Sequence, residues 1–442
     1  MTLQKRWGVG IAAAAALFIA YETLLPSDDF VQNPRWCIVC GYFGGVSFIL
    51  NVVLFVPFGF GLRLAGLRRN RTIAAGFLTS LAIELLQFRI IPGRESGISD
   101  LISNTLGAII GAALAAVWRT WLFPDPRMAS RLTRVGALAW LAILGTTAWA
   151  LQPSSPAAPL RAFWIPELEH YERFSGRVLS ASLNGVDARD GELPHSDAVR
   201  RDHLAGRSIL GLAMVADRKS EGTAPILGVW DAHWTGDPTM AVLLSQQGAG
   251  VTLWLRMRSS DARLRNVILR LDDVLSDLSS GALGSRRSDT VYVRGAREGA
   301  RIALSARVAD RRLSTTLPLS ATFGWNLLLP FDYPLAPHPL TKWLTALWVA
   351  GLVLPIGYWA SRAVRFYDVD LSTSRGVNAR ERLVSALTLV AMVIAGLLVI
   401  PLVSSLAIAP LSDWLAALIG LLIGWTVGSP SMRKTSQPPR RS

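Results

Sequence analysis

The sequence predicts an α-helical polytopic membrane protein with a large all-β domain inserted outside the membrane. Three observations lead to this fold class: a high share of apolar residues, apolar segments of membrane-spanning length, and one long polar stretch of different character. Of the 442 residues, 51% are hydrophobic and only 17% are charged, and the mean hydropathy is +0.35. Soluble globular domains carry about 25% charged residues. The composition therefore excludes an ordinary soluble protein.

Apolar segments occur in two groups, five before the polar stretch and three after it. Each is close to the roughly 20 residues that a helix needs to cross a bilayer. The sequence therefore predicts about eight spans, over residues 7–25, 46–64, 72–88, 101–118, 135–151, 341–360, 383–403 and 406–427.

Basic residues predict the orientation of these spans. Outside residues 152–338 the chain has 23 Lys and Arg, and 19 of them fall in the N-terminus, alternate loops and the C-terminal tail. The positive-inside rule places such segments in the cytoplasm. We expect a bacterial inner membrane protein with both termini cytoplasmic and the polar stretch periplasmic or extracellular. The basic clusters adjoin spans and lack interleaved aromatic residues, which argues against nucleic-acid binding.

The polar stretch is predicted to form an antiparallel β-sandwich. It contains short runs of alternating apolar residues separated by turn signals, which is typical of such folds. Its length of about 187 residues suffices for a core of its own. The runs that we interpret as strands are 178–183, 208–215, 240–244, 251–257, 266–271, 290–293 and 302–308.

Five sections follow from these patterns. We expect a four-helix membrane core over 1–121, a cytoplasmic loop and fifth span over 122–151, the extracytoplasmic sandwich over 152–338, three further membrane helices over 339–428 and a basic cytoplasmic tail over 429–442. Cys37 and Cys40 lie in the first outer loop. The sequence allows either a local disulfide between them or two free thiols without a function.

An ionisable residue, Glu84, lies inside the third apolar segment. A charged side chain at the centre of a membrane helix costs about 2.5 to 3.5 kcal/mol on insertion scales, so we expect polar partners. Ser80, Glu84 and Gln87 share one helix face by their spacing. Asp100 and Asn104 share a face of the next helix in the same way.

Depth places these groups in the outer half of the bilayer. At 1.5 Å per residue, Glu84 lies about 18 Å from the cytoplasmic end of its span, just past the midplane. A small polar pocket that opens outward is therefore predicted, with Arg94 as the partner of Glu84 or Asp100. A purely structural clamp that fixes helix register is the alternative. The predicted pocket residues are Asn51, Ser80, Glu84, Gln87, Arg94, Ser99, Asp100 and Asn104.

A spacing in the last span matches one in the fourth. Ser99-Asp100 is followed by Gly107 and Gly111, and Ser412-Asp413 is followed at the same distances by two glycines, with Ala417 where Asn104 stands. A degenerate repeat and chance both explain the match, because glycine is common in membrane helices.

The N-terminal motifs resemble those of the VanZ-like family. They are Asn51-x3-Phe55-x-Pro57-Phe58-Gly59, Ser80-x3-Glu84-x2-Gln87, Arg94, Ser99-Asp100 and Asn104-x2-Gly107-x3-Gly111. The resemblance covers residues 17–118. It implies a membrane protein linked to glycopeptide tolerance, teicoplanin especially, with matching positions at Asn51, Glu84, Gln87, Arg94, Asp100 and Asn104. The sandwich and the later spans are additions to the short form of the family.

The polar stretch resembles concanavalin-like or laminin-G-like sandwich domains. The resemblance depends on Phe174-Ser175-Gly176-Arg177, on Leu183-Asn184-Gly185 and on the hairpin from Met240 to Arg256. It implies a face that binds glycans or proteins, in some members with calcium.

Three functions remain open from the sequence. The first is a non-catalytic envelope protein whose pocket binds a membrane lipid or a glycan intermediate, with the sandwich recognising a cell-wall or surface glycan. The second is an intramembrane enzyme in which Glu84 or Asp100 acts as general base and Arg94 holds a lipid-linked substrate. The third is a membrane-anchored scaffold. The spans offer no metal set or phosphate loop, so we expect no metal and no cofactor.

Overall fold

The computed structural model describes residues 2–26, 43–92, 94, 96–156, 159–168, 171–231, 239–276, 290–331, 333–335, 339–365 and 375–429. Cys37 and Cys40 lie outside these residues, so their pairing stays a prediction.

Helices make up both ends of the described chain. Before the sandwich they are α1 (Leu3–Leu24), α2 (Gly44–Leu64), α3 (Arg69–Arg89), α4 (Ile98–Ala116), α5 (Trp118–Leu122) and α6 (Pro126–Ala150). Within it they are the short α7 (Ser196–Leu204), α8 (Arg258–Asp261) and α9 (Gly324–Leu327). After it they are α10 (Pro339–Arg365), α11 (Arg375–Ile394), α12 (Ile400–Val403) and α13 (Leu411–Gly428), with a π-helical turn at Ala395–Val399 between α11 and α12.

Seven helical segments in the described part of the chain are long and apolar enough to cross a membrane. They correspond to seven of the eight predicted spans. The remaining segment, 72–88, is helical within α3 but is not one of the seven, because α3 carries Glu84 and arginines at both ends. The number of spans therefore stays a prediction.

The polar stretch forms two β-sheets. The seven-stranded sheet has the order β13-β9-β8-β7-β6-β1-β4, and the six-stranded sheet has the order β12-β11-β10-β5-β2-β3. All strand pairs are antiparallel except β13 with β9. The strands are β1 (Leu160–Trp164), β2 (Gly176–Leu183), β3 (Val186–Asp187), β4 (Gly191–Glu192), β5 (Arg207–Ala216), β6 (Thr223–Asp231), β7 (Met240–Gln247), β8 (Gly250–Leu255), β9 (Ile268–Leu271), β10 (Val291–Glu298), β11 (Arg301–Val308), β12 (Arg311–Pro318) and β13 (Pro334–Leu335).

The two sheets share one hydrophobic core. In β11, for example, Ile302, Leu304 and Ala306 are buried while the residues between them are not, as expected for alternating faces of a strand. Leu212 of the six-stranded sheet and Leu253 of the seven-stranded sheet belong to the same buried cluster. The prediction of a sheet-rich region is confirmed at this level.

Glycines let α2 and α4 pack backbone to backbone. A Cβ atom added at Gly107 would overlap the carbonyl of Val52, and one at Gly111 would overlap that of Val56. In return, a Cβ at Gly59 would overlap the backbone of α4. Small residues at four-residue spacing permit this close approach between membrane helices. We call α1–α4 the first helical unit.

The pair α10 and α13 repeats this packing in the same register. Each of three backbone contacts between α2 and α4 has a counterpart between α10 and α13. The α2–α4 contacts are Val52–Gly107, Val56–Gly111 and Gly59–Ala108, and their counterparts, in the same order, are Ala350–Gly420, Leu354–Gly424 and Gly357–Leu421. A proline also lies two residues before the contact glycine in both helices, Pro57 before Gly59 in α2 and Pro355 before Gly357 in α10. The structure therefore favours the repeat over chance. We call α6 with α10–α13 the second helical unit.

The sandwich touches both units at the same end. On the first unit, the N–H of Gly45 donates to the Arg263 carbonyl (3.1 Å), and the Arg265 guanidinium stacks on the Phe43 ring, 3.3 Å from its centroid. On the second unit, the Trp325 indole N–H donates to Thr345 Oγ1 (3.0 Å). The start of α2 and the end of α3 therefore lie on the sandwich side of the first unit.

Candidate functional site

Most of the predicted pocket residues meet where α3 ends and α4 begins. Ser80, Glu84 and Gln87 are buried on α3, and Asn104 is buried on α4. Because these side chains repeat at helical spacing, one face of each helix is polar and the two faces meet. We call these four residues with Asp100 the polar cluster.

A chain of hydrogen bonds joins the two helices. Asn104 Nδ2 donates to Ser80 Oγ (3.0 Å), and Ser80 Oγ donates to the Asp100 carbonyl (3.5 Å). Ser103 Oγ donates to the same carbonyl (3.2 Å). Ser103 was not among the predicted pocket residues, because its four-residue spacing from Gly107 indicates helix packing instead.

Glu84 fixes the start of α4. Its Oε2 accepts a hydrogen bond from the N–H of Gly97 (2.8 Å), the N-cap residue of α4. The first N–H groups of a helix have no partner within the helix, so a carboxylate there is stabilising. Glu84 also lies close enough to Asp100 for the two carboxylates to interact electrostatically.

Arg94 was predicted to pair with Glu84 or Asp100, but its hydrogen bonds in the structure go to two backbone carbonyls. Its Nε donates to the Leu25 carbonyl and its second terminal nitrogen to the Glu22 carbonyl, both at 2.9 Å. These carbonyls belong to the C-terminal end of α1, where the last helical carbonyls lack partners and attract a cation. Arg94 therefore caps α1.

Gln87 adds a second tie to α1, through its Nε2, which donates to the Thr23 carbonyl (2.9 Å). Its Oε1 atom is buried without a hydrogen-bond partner among the described residues, and so is Asn104 Oδ1. The two residues are 8% and 2% exposed. Buried acceptors are normally satisfied, so each of these two has room in its bonding for a donor from water or a ligand.

Asp100 is the least buried member of the polar cluster, and the remaining predicted residues lie at its edge. Asp100 is half-buried, and its Oδ1 accepts from Ser99 Oγ (3.0 Å). Asn51 is half-buried on α2 and makes no hydrogen bond within the described chain to the other predicted residues.

An apolar groove of about 370 Å³ lies between α1 and α3. Ile83, which precedes Glu84 in the chain, lines the groove, and so does Leu86, which precedes Gln87. The other lining residues are Ala16, Ile19, Ala20, Leu24, Leu78, Thr79 and Ala82. The residues that line the groove do not include a member of the polar cluster, which lies on an adjoining face of α3.

Among the residues that the structure describes, no group of three or more His, Cys, Asp or Glu side chains could hold a metal ion. The polar cluster instead offers the oxygens of carboxyl and amide groups, which accept hydrogen bonds.

Comparison with known proteins adds one likeness. No curated protein and no solved structure matches the chain, so the concanavalin-like or laminin-G-like character of the sandwich stays a prediction. The model of the VanZ/LLP1 family matches residues 12–119. This range includes all eight predicted pocket residues and most of the first helical unit. The N-terminal quarter of the chain, in a protein with helices fit to span a membrane, is thus similar to the VanZ/LLP1 family.

Proposed function

We propose that this protein is a non-catalytic envelope membrane protein that binds a membrane lipid or a lipid-linked glycan at the polar cluster of its first helical unit. The observation that carries the proposal is the pair of buried acceptors without partners, Gln87 Oε1 and Asn104 Oδ1, beside the Glu84 carboxylate. Buried unsatisfied polar groups cost about 1–3 kcal/mol each, which a ligand's donors would recover.

The adjoining groove supports an amphipathic ligand. Its apolar lining, which includes Ile83 and Leu86, fits an acyl or prenyl chain, and the headgroup of such a ligand would reach the oxygens of Glu84 and Gln87 on the adjoining face of α3. Pockets of this kind bind by apolar contact and gain specificity from a few polar groups.

The proposed location is the bacterial cytoplasmic membrane, with both termini cytoplasmic and the sandwich periplasmic or extracellular. The positive-inside pattern supports it. Lys5 lies in the first turn of α1, Arg63 in the last turn of α2, and Arg68 and Arg69 at the start of α3, all at the end away from the sandwich. The likeness to the VanZ/LLP1 family supports a link to glycopeptide tolerance.

The sandwich is proposed to recognise a cell-wall or surface glycan. A cleft of about 410 Å³ on β10–β12 supports this role. It is lined by Tyr292, Arg307, Asp310 and Arg312, and the Arg307 guanidinium stacks on the Tyr292 ring at 4.8 Å from its centroid. An exposed aromatic ring among charged hydrogen-bonding groups suits a sugar ring and its hydroxyls.

A complementation experiment tests the role of the polar cluster. A deletion strain receives wild type, Glu84→Gln or Asn104→Leu, and teicoplanin and detergent sensitivity are measured with the amount of protein in the membrane. Thr105→Val is the matched control, because the Thr105 hydroxyl donates only to the Leu101 carbonyl of its own helix (2.7 Å). We expect both cluster variants to accumulate and fail to complement, and the control to complement. Full complementation by the cluster variants would contradict the proposal.

A further inference from the structure

The second helical unit has a counterpart of Asp100, and the structure shows what this counterpart binds. The glycine register that superimposes α10 and α13 on α2 and α4 places Ser412-Asp413 at the position of Ser99-Asp100. In both units the serine Oγ donates to Oδ1 of the aspartate that follows it, at 3.0 Å. The two carboxylates therefore begin from the same local geometry.

The other oxygen of Asp413 accepts a hydroxyl from the sandwich. Thr322 Oγ1 donates to Asp413 Oδ2 at 2.7 Å, and Asp413 is only 1% exposed. Thr322 lies in a 3-10 turn, Ala321–Phe323, that directly follows the last long strand. The N–H of Ala407 donates to the Leu319 carbonyl (2.9 Å) and holds that turn on the second unit.

The first unit differs from the second in what surrounds the carboxylate. Asp100 is half-buried, whereas Asp413 is covered by the sandwich turn. One helical turn further on, the first unit has Asn104 and the second has Ala417. Ser80 Oγ donates its hydrogen to the Asp100 carbonyl and accepts one from Asn104 Nδ2. The other amide atom of this side chain, Asn104 Oδ1, therefore has no hydrogen-bond partner in the described chain, although Asn104 is 98% buried.

We propose that the first unit binds a hydroxyl-bearing lipid headgroup, a glycerol or a sugar, whose hydroxyls donate to Asp100 and Asn104 as Thr322 donates to Asp413. This inference rests on the function proposed above and narrows its ligand class. An ionised carboxylate only accepts hydrogen bonds, and each of its oxygens accepts more than one, so bonds that Asp100 already makes do not prevent it from receiving a hydroxyl.

Charge argues against a headgroup that has phosphate alone. Glu84 and Asp100 lie close enough to interact electrostatically, and a headgroup that has phosphate alone would bring a further negative charge beside these two carboxyl groups. A hydroxyl supplies a donor without a charge of its own.

The test measures which lipids the full-length protein retains. The protein is reconstituted in phosphatidylcholine nanodiscs that contain equal shares of phosphatidylglycerol, phosphatidic acid, phosphatidylethanolamine and glucosyl-diacylglycerol, and is then extracted for native mass spectrometry. Phosphatidic acid is the matched control, because it keeps the phosphate of phosphatidylglycerol without the headgroup glycerol. Retention of phosphatidylglycerol or of the glucosyl lipid separates the glycerol and sugar sources.

We expect the hydroxyl-bearing lipids to be retained about ten-fold over phosphatidic acid and phosphatidylethanolamine. Asp100→Asn should remove most of this preference, and Asp413→Asn should leave it unchanged. Equal retention of all four lipids, a preference for phosphatidylethanolamine, or an unchanged preference in Asp100→Asn would overturn the inference. If Asp100→Asn fails to fold, the wild-type ratio of phosphatidylglycerol to phosphatidic acid decides alone.

The two proposals fail in different ways. If Glu84→Gln and Asn104→Leu abolish complementation but hydroxyl-bearing lipids are not preferred, the proposed function stands and the ligand class is wrong. If both variants complement fully, the proposed function itself fails.

Discussion

The two helical units place glycines in the same register but surround their carboxylates differently. In the first unit, Asp100 lies beside Asn104 and Ser80, and in the second, Asp413 lies beside alanines and a hydroxyl from the sandwich. The shared contacts are between backbones, and the differing ones are between side chains. The difference teaches that the glycine pairs determine how the helices pack, while the polar side chains can change without changing that packing.

The third helix of each unit explains where the polar cluster can form. In the first unit α3 lies against α4, so that Gly76 faces Ala108 and Ser80 reaches Asn104. In the second unit the π-helical turn that follows α11 packs instead on α6, with Gly396 against Trp140. Only the first arrangement brings a second polar face to the aspartate helix.

The largest expected effect comes from filling the glycine contacts. Gly111→Val and Gly424→Val should each destabilise the protein by about 3 kcal/mol or more, because the new side chain overlaps backbone atoms that cannot move aside. The measurement is protein level in the membrane and unfolding in detergent. If only the first unit's variant were destabilising, the packing equivalence of the two units would be broken.

Matched controls exist on the same architecture. Gly10 in α1 and Gly351 in α10 have no atom within 4 Å of an added Cβ. Gly10→Ala and Gly351→Ala should therefore leave stability unchanged or raise it by a few tenths of a kcal/mol, because alanine favours helix over glycine. A loss as large as that of the packed glycines would show that side-chain volume is not the cause.

Acidification should destabilise the sandwich. Burial, together with the nearby Arg297 and Arg256, lowers the pKa of His203 to about 4. His203 is neutral in the fold, with Nε2 facing the Ser154 carbonyl (2.9 Å) and Nδ1 paired with Ser208 Oγ (2.7 Å).

Because the unfolded chain binds this proton more readily, the stability due to neutral His203 is complete above about pH 6.5. It is lost as the pH falls towards 4, by roughly 3 kcal/mol in total. Denaturant unfolding followed by tryptophan fluorescence at pH 7.5 and 4.5 measures the loss, and His203→Gln should remove most of it. An unchanged pH dependence in that variant would assign the effect to other groups.

Substitutions in the Thr322–Asp413 hydrogen bond should lower stability by a smaller amount, and the effects of the two substitutions should depend on each other. Thr322→Val and Asp413→Asn each weaken one buried hydrogen bond to a carboxylate (2.7 Å), worth about 1.5 to 3 kcal/mol. A double-mutant cycle read by thermal unfolding should show a coupling of about 1 kcal/mol or more, since either change alone disrupts the same bond. Additive losses would mean that the sandwich does not rest on the second unit through this pair.

Much of this fold could be predicted from periodicity. Seven strand runs and the apolar helices were predicted because their patterns are local. The strand β6 was missed, since Pro225 interrupts its pattern, and the structure accommodates the proline at a register shift between Pro225 and Leu227. The edge strand β12 was missed because its sequence is mostly polar and partly exposed.

Long-range contacts of the site were harder to predict. The polar faces of α3 and α4 followed from spacing, but the partner of Arg94 did not, because charge alone suggests a carboxylate while the geometry offers the free carbonyls of α1. The hydrogen bond between Thr322 and Asp413 could not be predicted from any sequence pattern, because the two residues are 91 positions apart and Thr322 belongs to the sandwich.

The smallest expected effect tests whether Arg94 belongs to the ligand site or to the scaffold of the first unit. Arg94→Ala removes two hydrogen bonds to the end of α1, while the Gln87 amide still donates to the Thr23 carbonyl. We therefore expect the free energy of unfolding to fall by about 1 kcal/mol and amide exchange in the last turn of α1 to become faster. Arg89→Ala is the control, because Arg89 is exposed near the same end of α3. Arg94→Ala should still complement a deletion. If it keeps full stability but loses complementation, Arg94 contacts the ligand, and the first unit differs from the second by a cation as well as by acceptors.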